Sequence, residues 1–454
     1  MLIRNAEIYG QGCVADLRIA DGVVAEIGTL PSLPGERVID ARGGALLPGL
    51  HDHHIHLPAL AARRSSVFCG PPEVVDEAAL AARIGTPGTG WLRGIGYHES
   101  VAGMLDRAML DRIAPDRPVR IQHRSGRMWF FNSIGLEIAL AAAPAPTGLE
   151  RETGRLFDED RWLREALGGT PPDLAAVSDE LARMGITGIT DMSPANDPAM
   201  AAHFREQQAQ GRLRQRCLMA GTLALASVTG TPWLAVGPAK LHLHEADLPD
   251  YDAAVAFIAA AHEQGRIVAI HCVSETELVF ALGALEEAGV RAGDRIEHAS
   301  VAPDWSVAAM ARLGLIVVSQ PNFIAERGDE YRVAVEPDAV PYLYRLQAFR
   351  AAGVVLAGGS DAPFGDPDPW AAMRAAVTRQ TRTGHVMGAD AALSPEEALD
   401  LFLADPVDLG RQRRVAAGMV ADLCLLDRPW ADARDRLSTG DVRAIVIGGM
   451  AQVR

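Results

Sequence analysis

Lysine is almost missing from this chain. Of 43 lysines and arginines, one is lysine, Lys240, and every other is arginine. A general drift toward arginine explains the many but not the exception. The two cations are not equivalent, because a guanidinium keeps its proton whereas an amine can lose it and react. Cysteine is also scarce. Cys13, Cys69, Cys217, Cys272 and Cys424 are scattered and odd in number, which excludes a disulfide framework and suits a reducing cytoplasm. No uncharged apolar run reaches about 18 residues, the length of a membrane-spanning helix. The start, Met1-Leu2-Ile3-Arg4-Asn5, lacks the basic-then-apolar order of a signal peptide. A net charge of −15 argues against nucleic acid or an anionic membrane as partner. What is left is a cytoplasmic protein acting on a small molecule. Its 454 residues, 48% hydrophobic, suffice for two or three domains or for one barrel with additions.

Histidine, by contrast, is concentrated. Pro48-Gly49-Leu50-His51-Asp52-His53-His54-Ile55-His56 puts four imidazoles within six positions after the apolar run Ala45-Leu46-Leu47. Neutral imidazole is the commonest metal ligand. On a strand, alternate side chains share a face, so Asp52, His54 and His56 point one way and His51 and His53 the other. A His-x-His pair at a strand end is a chelating geometry for zinc or a similar divalent ion.

The middle of the chain alternates short β-rich runs with helical segments such as 172–184, 252–264 and 275–288, the signature of a parallel sheet. The runs are 46–50, 186–191, 215–220, 239–244, 267–272, 295–299, 315–320 and 354–360, and eight of them predict a TIM barrel over 48–402. Residues 57–170, rich in proline and glycine with their own strand candidate at Val119–Gln122, read as an insertion after the first strand. Strand-like segments at both ends, 1–47 and 403–454, predict one small β-sandwich domain built from the two termini.

Active sites of such barrels lie at the C-terminal ends of the strands. There the chain places His54 and His56 on the first strand, and Lys240 with His242 and His244 on the fourth. His271 ends the fifth, Glu297-His298 the sixth, and Gly359-Ser360-Asp361 the eighth. Glu275 and Asp52 are candidates to hydrogen-bond ligand histidines, although Glu275 could equally begin a helix. His242 and His244 could contact substrate or pack under the insertion. The insertion offers Arg124, Arg127 and Trp129 beside Phe130 and Phe131, either a binding cluster for an acyl or aryl group and a carboxylate or the insertion's own core.

The pattern Pro-Gly-x-x-Asp-x-His-x-His, followed by Lys240, His271, His298 and Asp361 on later strands, resembles the amidohydrolase superfamily over essentially the whole chain. Arg124-Ser125-Gly126-Arg127, Asn132-Ser133, Ser360-Asp361-Ala362-Pro363 and Asp368-Pro369 are similar to the branch that contains N-substituted formamide deformylases. Two departures keep that branch's substrate from being carried over: Arg127 stands where the branch shows histidine, and His244-Glu245 where it shows Asp-Gly. The resemblance implies that Lys240 is carboxylated by CO2 to a carbamate bridging two divalent ions, zinc by default. It implies His54, His56, the carbamate and Asp361 on one ion, and the carbamate, His271 and His298 on the other. A metal-bound hydroxide would then cleave a C–N bond of an N-acyl, N-formyl or carbamate substrate, with Asp361 as general base and then acid. A homodimer is a further expectation from the family. The alternatives are a mononuclear deaminase, which lacks the fourth-strand lysine and has glutamate where this chain has Ser274, and a non-catalytic barrel, which would have lost ligands.

Overall fold

The computed structural model describes residues 1–71, 73–169 and 171–453; Thr170, where the insertion is expected to end, and Arg454 lie outside them. The chain divides into two compact units, Met1–Leu57 with Asp173–Arg454, and Pro58–Pro172.

The first unit holds an eight-stranded parallel barrel. In chain order its strands are Leu50–Ile55, Ile186–Asp191, Arg216–Gly221, Leu234–His242, Val268–Cys272, Arg295–His298, Ile316–Ser319 and Val355–Gly358, each hydrogen-bonded to the next. Between the eighth and the first the ladder is nearly closed. Asp361 N donates to His54 O at 2.7 Å and His56 N to Ala362 O at 2.8 Å. Seven strands lie where periodicity puts them. The first does not, because Ala45–Pro48 belongs to another sheet, paired with Leu423–Leu426 and with Leu2–Ile8, and the barrel strand begins beyond Gly49. Helices between the strands start on conventional caps, such as the Ser274/Glu277 and Ser394/Glu397 capping boxes. Among the described residues no helix is long and apolar enough to cross a membrane.

The terminal strands all join one eight-stranded sheet, ordered Met450–Val453, Val442–Ile447, Leu423–Leu426, Ala45–Pro48, Leu2–Ile8, Cys13–Ala20 and Val23–Gly28, with Val38–Asp40 paired to Leu2–Ile8. Both ends of the chain therefore share one core, in which Ile3, Ile8 and Leu17 pack with Leu423, Leu425 and Val446.

The second unit carries a six-stranded sheet of its own, centred on Leu92–Tyr97, Val119–His123 and Met128–Phe131. Only Val119–Gln122 of it is legible as a strand in the sequence. Its core holds Tyr97, Leu110, Ile121 and Phe130, with Trp129 and Phe131 in a second cluster.

Candidate metal centre

At the C-terminal rim of the barrel, His54, His298 and Asp361 each aim a ligand atom into one space, all within 4.8 Å of one another. His54 Nε2 lies 3.4 Å and His56 Nε2 3.1 Å from the same oxygen, Asp361 Oδ1. The His271 ring is 4.4 Å from that of His298, and the His242 ring 4.3 Å from that of His271. The register explains the grouping. His242 pairs with His271 and Cys272 with His298 across adjacent strands, so the ends of the fourth, fifth and sixth strands stand side by side.

Two of these residues occupy the left-handed backbone region, His298 at φ 68° and Asp361 at φ 55°. That conformation is costly for residues with a Cβ and clusters at functional sites. At His298 it breaks the alternation of the strand, so Glu297 and His298 both serve one centre. Glu297 is fully buried. Its Oε2 lies 2.5 Å from His54 Nδ1 and its Oε1 pairs with Arg295 Nε at 2.6 Å. Gln320 Oε1 meets His298 Nδ1 at 2.7 Å. With each Nδ1–H donated outward, the Nε2 lone pairs of His54 and His298 face the centre, as carboxylate- and amide-supported metal histidines require. Glu297 and Gln320 carry no role in the sequence reading. Inward alternation from Arg295 to Glu297 was the available signal for the first; the second had none.

Lys240 is 5% exposed, and its Nζ has no hydrogen-bond partner among the described residues. Burial pulls its amine down to about 8. Burial also holds His54 and His271 well below the ordinary imidazole range, which keeps both rings neutral. For Asp361 burial works upward, but the hydrogen bond from His56 and the neighbouring His298 and His54 outweigh it and hold the carboxyl down.

The remaining predicted residues fall in several places. Asp52 is buried and accepts His54 N at 3.0 Å, Ser360 N at 3.0 Å and Ser360 Oγ at 2.5 Å. It ties the first strand to the eighth through backbone rather than through an imidazole, and burial pushes its carboxyl up to about 7. His242 stands at the rim, exposed beside His271, while the exposed His244 precedes the turn Glu245–Asp247 without a side-chain bond to it. Glu275 reaches no histidine. It is exposed and accepts from Trp305 Nε1 at 2.8 Å, while Glu277 is the buried carboxylate of that turn, accepting from Val273 N and Glu245 N. Trp129, expected at a binding surface, is buried in the second unit with Arg93 and Arg120 over its ring. Arg127 is exposed and paired to Asp158 at 2.7 and 2.8 Å, and Arg124 is exposed.

A parallel barrel with histidines and an aspartate converging at its C-terminal rim defines a metal-dependent hydrolase. The model of the amidohydrolase family matches residues 37–450, and the chain belongs to that family, whose members hydrolyse carbon–nitrogen bonds. It is 26% identical to the N-substituted formamide deformylase of Arthrobacter pascens over 98% of this chain and 96% of that one. It is 24% identical to the putative amidohydrolase YtcJ of Bacillus subtilis, covering 95% of this chain and 94% of that protein. An uncharacterized metal-dependent hydrolase from Pyrococcus furiosus shares the fold with a TM-score of 0.78 at 23% identity, over 94% of this chain and 98% of that one.

Proposed function

We propose that this enzyme hydrolyses a non-peptide amide, N-formyl, N-acyl or carbamate, and that Lys240 is carboxylated and bridges two divalent ions, to be tested first as zinc because imidazole and carboxylate donors suit it. The observation that carries this reading is Lys240 itself, the chain's one lysine, buried and partnerless in a ring of ligand-type side chains. An isolated buried ammonium is costly, whereas a carbamate gives the same position two anionic oxygens. His54, His56 and Asp361 would hold one ion and His271 and His298 the other, with the carbamate common to both. Ions bound there would polarise a carbonyl and make water acidic enough to attack near neutral pH.

The chain's own residues have defined tasks. Glu297 and Gln320 fix the tautomers of His54 and His298. Asp361 Oδ1 accepts the proton of the attacking water and delivers it to the leaving nitrogen, and its low proton affinity keeps it ionised until then. Asp52 holds the Ser360–Asp361 turn against the first strand. The compactness of the His54, His298 and Asp361 group favours the second reading, a one-metal deaminase. Metal-replete enzyme assayed against formamide, acetamide and carbamate libraries tests the first. Release of the free amine with formate, with acetate, or with carbon dioxide and the alcohol from a carbamate supports it, and ammonia release from ring amines with no amide turnover contradicts it.

A further inference from the structure

Just beyond Asp361, an aromatic ring lies exposed where the barrel rim is otherwise polar. Phe364 is 59% exposed, and its ring meets that of His56 edge-on, with centroids 5.7 Å apart and planes at 90°. Its backbone is fixed to the centre, since Phe364 N donates to Asp361 O at 2.8 Å. A large ring left open to water beside metal ligands gains most when a ligand's apolar surface covers it.

On the far side of this residue sits Arg327, in the helix Asn322–Ala334. Its guanidinium stacks over the buried Phe323 ring at 4.2 Å and donates one Nη2–H to the Phe364 carbonyl. Glu326 Oε1 is taken by Asn322 Nδ2 at 2.9 Å and Asp366 N at 3.0 Å, and Arg327 forms no ion pair among the described residues. The loop runs close against its surroundings at Gly365, where a Cβ would stand 2.3 Å from both Asn322 Nδ2 and Ser360 O. A guanidinium held by stacking, with donors still open, is preorganised for a carboxylate.

We infer that Phe364 and Arg327 recognise the part of the substrate remote from the scissile bond: an aromatic group packed on Phe364, carrying a carboxylate that Arg327 binds. The substrate class is then an N-acylated or N-formylated aryl amine bearing an acid across the ring. This rests on the amide-hydrolase reading above.

The test uses the metal-replete full chain with para-formamidobenzoate and its methyl ester, which differ only in the charge that Arg327 would meet. Wild-type enzyme is expected to prefer the acid in kcat/KM by about 10- to 100-fold, the scale of one charge-assisted pair. In Arg327→Gln that ratio falls toward one through KM of the acid, and in Arg327→Lys it falls part of the way. Phe364→Ala raises KM for both compounds. An equal or inverted preference in wild-type enzyme, or a preference that survives Arg327→Gln, overturns the inference. Should neither compound be hydrolysed, the amide-hydrolase reading is left to the wider libraries and recognition is read from binding alone. Calorimetric binding of para-aminobenzoate against its methyl ester then decides recognition: an acid preference lost in Arg327→Gln supports it, and no acid preference refutes it.

Discussion

Lys240 and Glu297 hold opposite ends of the same problem, a charge placed where water does not reach. For the lysine, the resolution we propose is carboxylation. Removing its side chain should leave a small anion-sized gap among neutral imidazoles. Lys240→Ala is therefore expected to lose essentially all turnover and to regain part of it in added formate or acetate, measured as a saturable rise in rate; a variant that keeps full turnover without additive shows the lysine to be dispensable. For Glu297 the resolution is pairing, with Arg295 on one oxygen and His54 on the other. Glu297→Gln leaves the Arg295 cation uncompensated. It should cost roughly 3–5 kcal/mol of unfolding free energy and weaken metal retention about 10- to 100-fold. Urea unfolding and metal-buffered dialysis measure both, and wild-type values in either would refute the role.

At the scale of elements, the barrel is nearly closed by one seam, and His54, His56 and Asp361 stand on it. Asp52 gathers His54 N, Ser360 N and Ser360 Oγ from the two strands that meet there, and Gly359 passes so near that a Cβ would lie 2.5 Å from His54 N and Cβ. Both contacts are to atoms that cannot rotate aside. Gly359→Ala should cost about 1–3 kcal/mol, as overpacking does, and misplace His54 and Asp361 together; a variant with unchanged melting temperature and metal content would contradict that geometry. Seven barrel strands were legible because each is a β-rich run followed by a helix of regular period, and Ile186–Asp191 was placed to the residue. The first was misread because two strands of different sheets, Ala45–Pro48 and Leu50–Ile55, adjoin with only Gly49 between them. His53 shows the limit of such reading. It is fully buried with neither ring nitrogen bonded among the described residues, and nothing in the structure explains its choice.

For the whole molecule, the strand-end positions of His54, His298 and Asp361, which the structure brings together, were readable because strand-end position is a property of the chain's order, whereas the strands inside the insertion were not, apart from Val119–Gln122, because its sheet is built from short strands without regular spacing. That unit has one polar keystone. Asn132 is buried, accepts Val119 N and Gly135 N, each at 2.9 Å, and donates to Ala114 O and Arg117 O at 3.0 and 2.8 Å. Asn132→Ala strands these groups and should destabilise the insertion by about 3 kcal/mol. Protease cleavage within 58–172 should accelerate while the metal content of the barrel is retained; unchanged cleavage would show the network to be redundant. The account as a whole turns on the one lysine. Metal analysis of wild-type protein and Lys240→Ala, purified side by side with bicarbonate present, tests it most directly. The account predicts two divalent ions per wild-type chain and at most one in the variant, whereas a single ion in wild-type protein, or two in both, would contradict it.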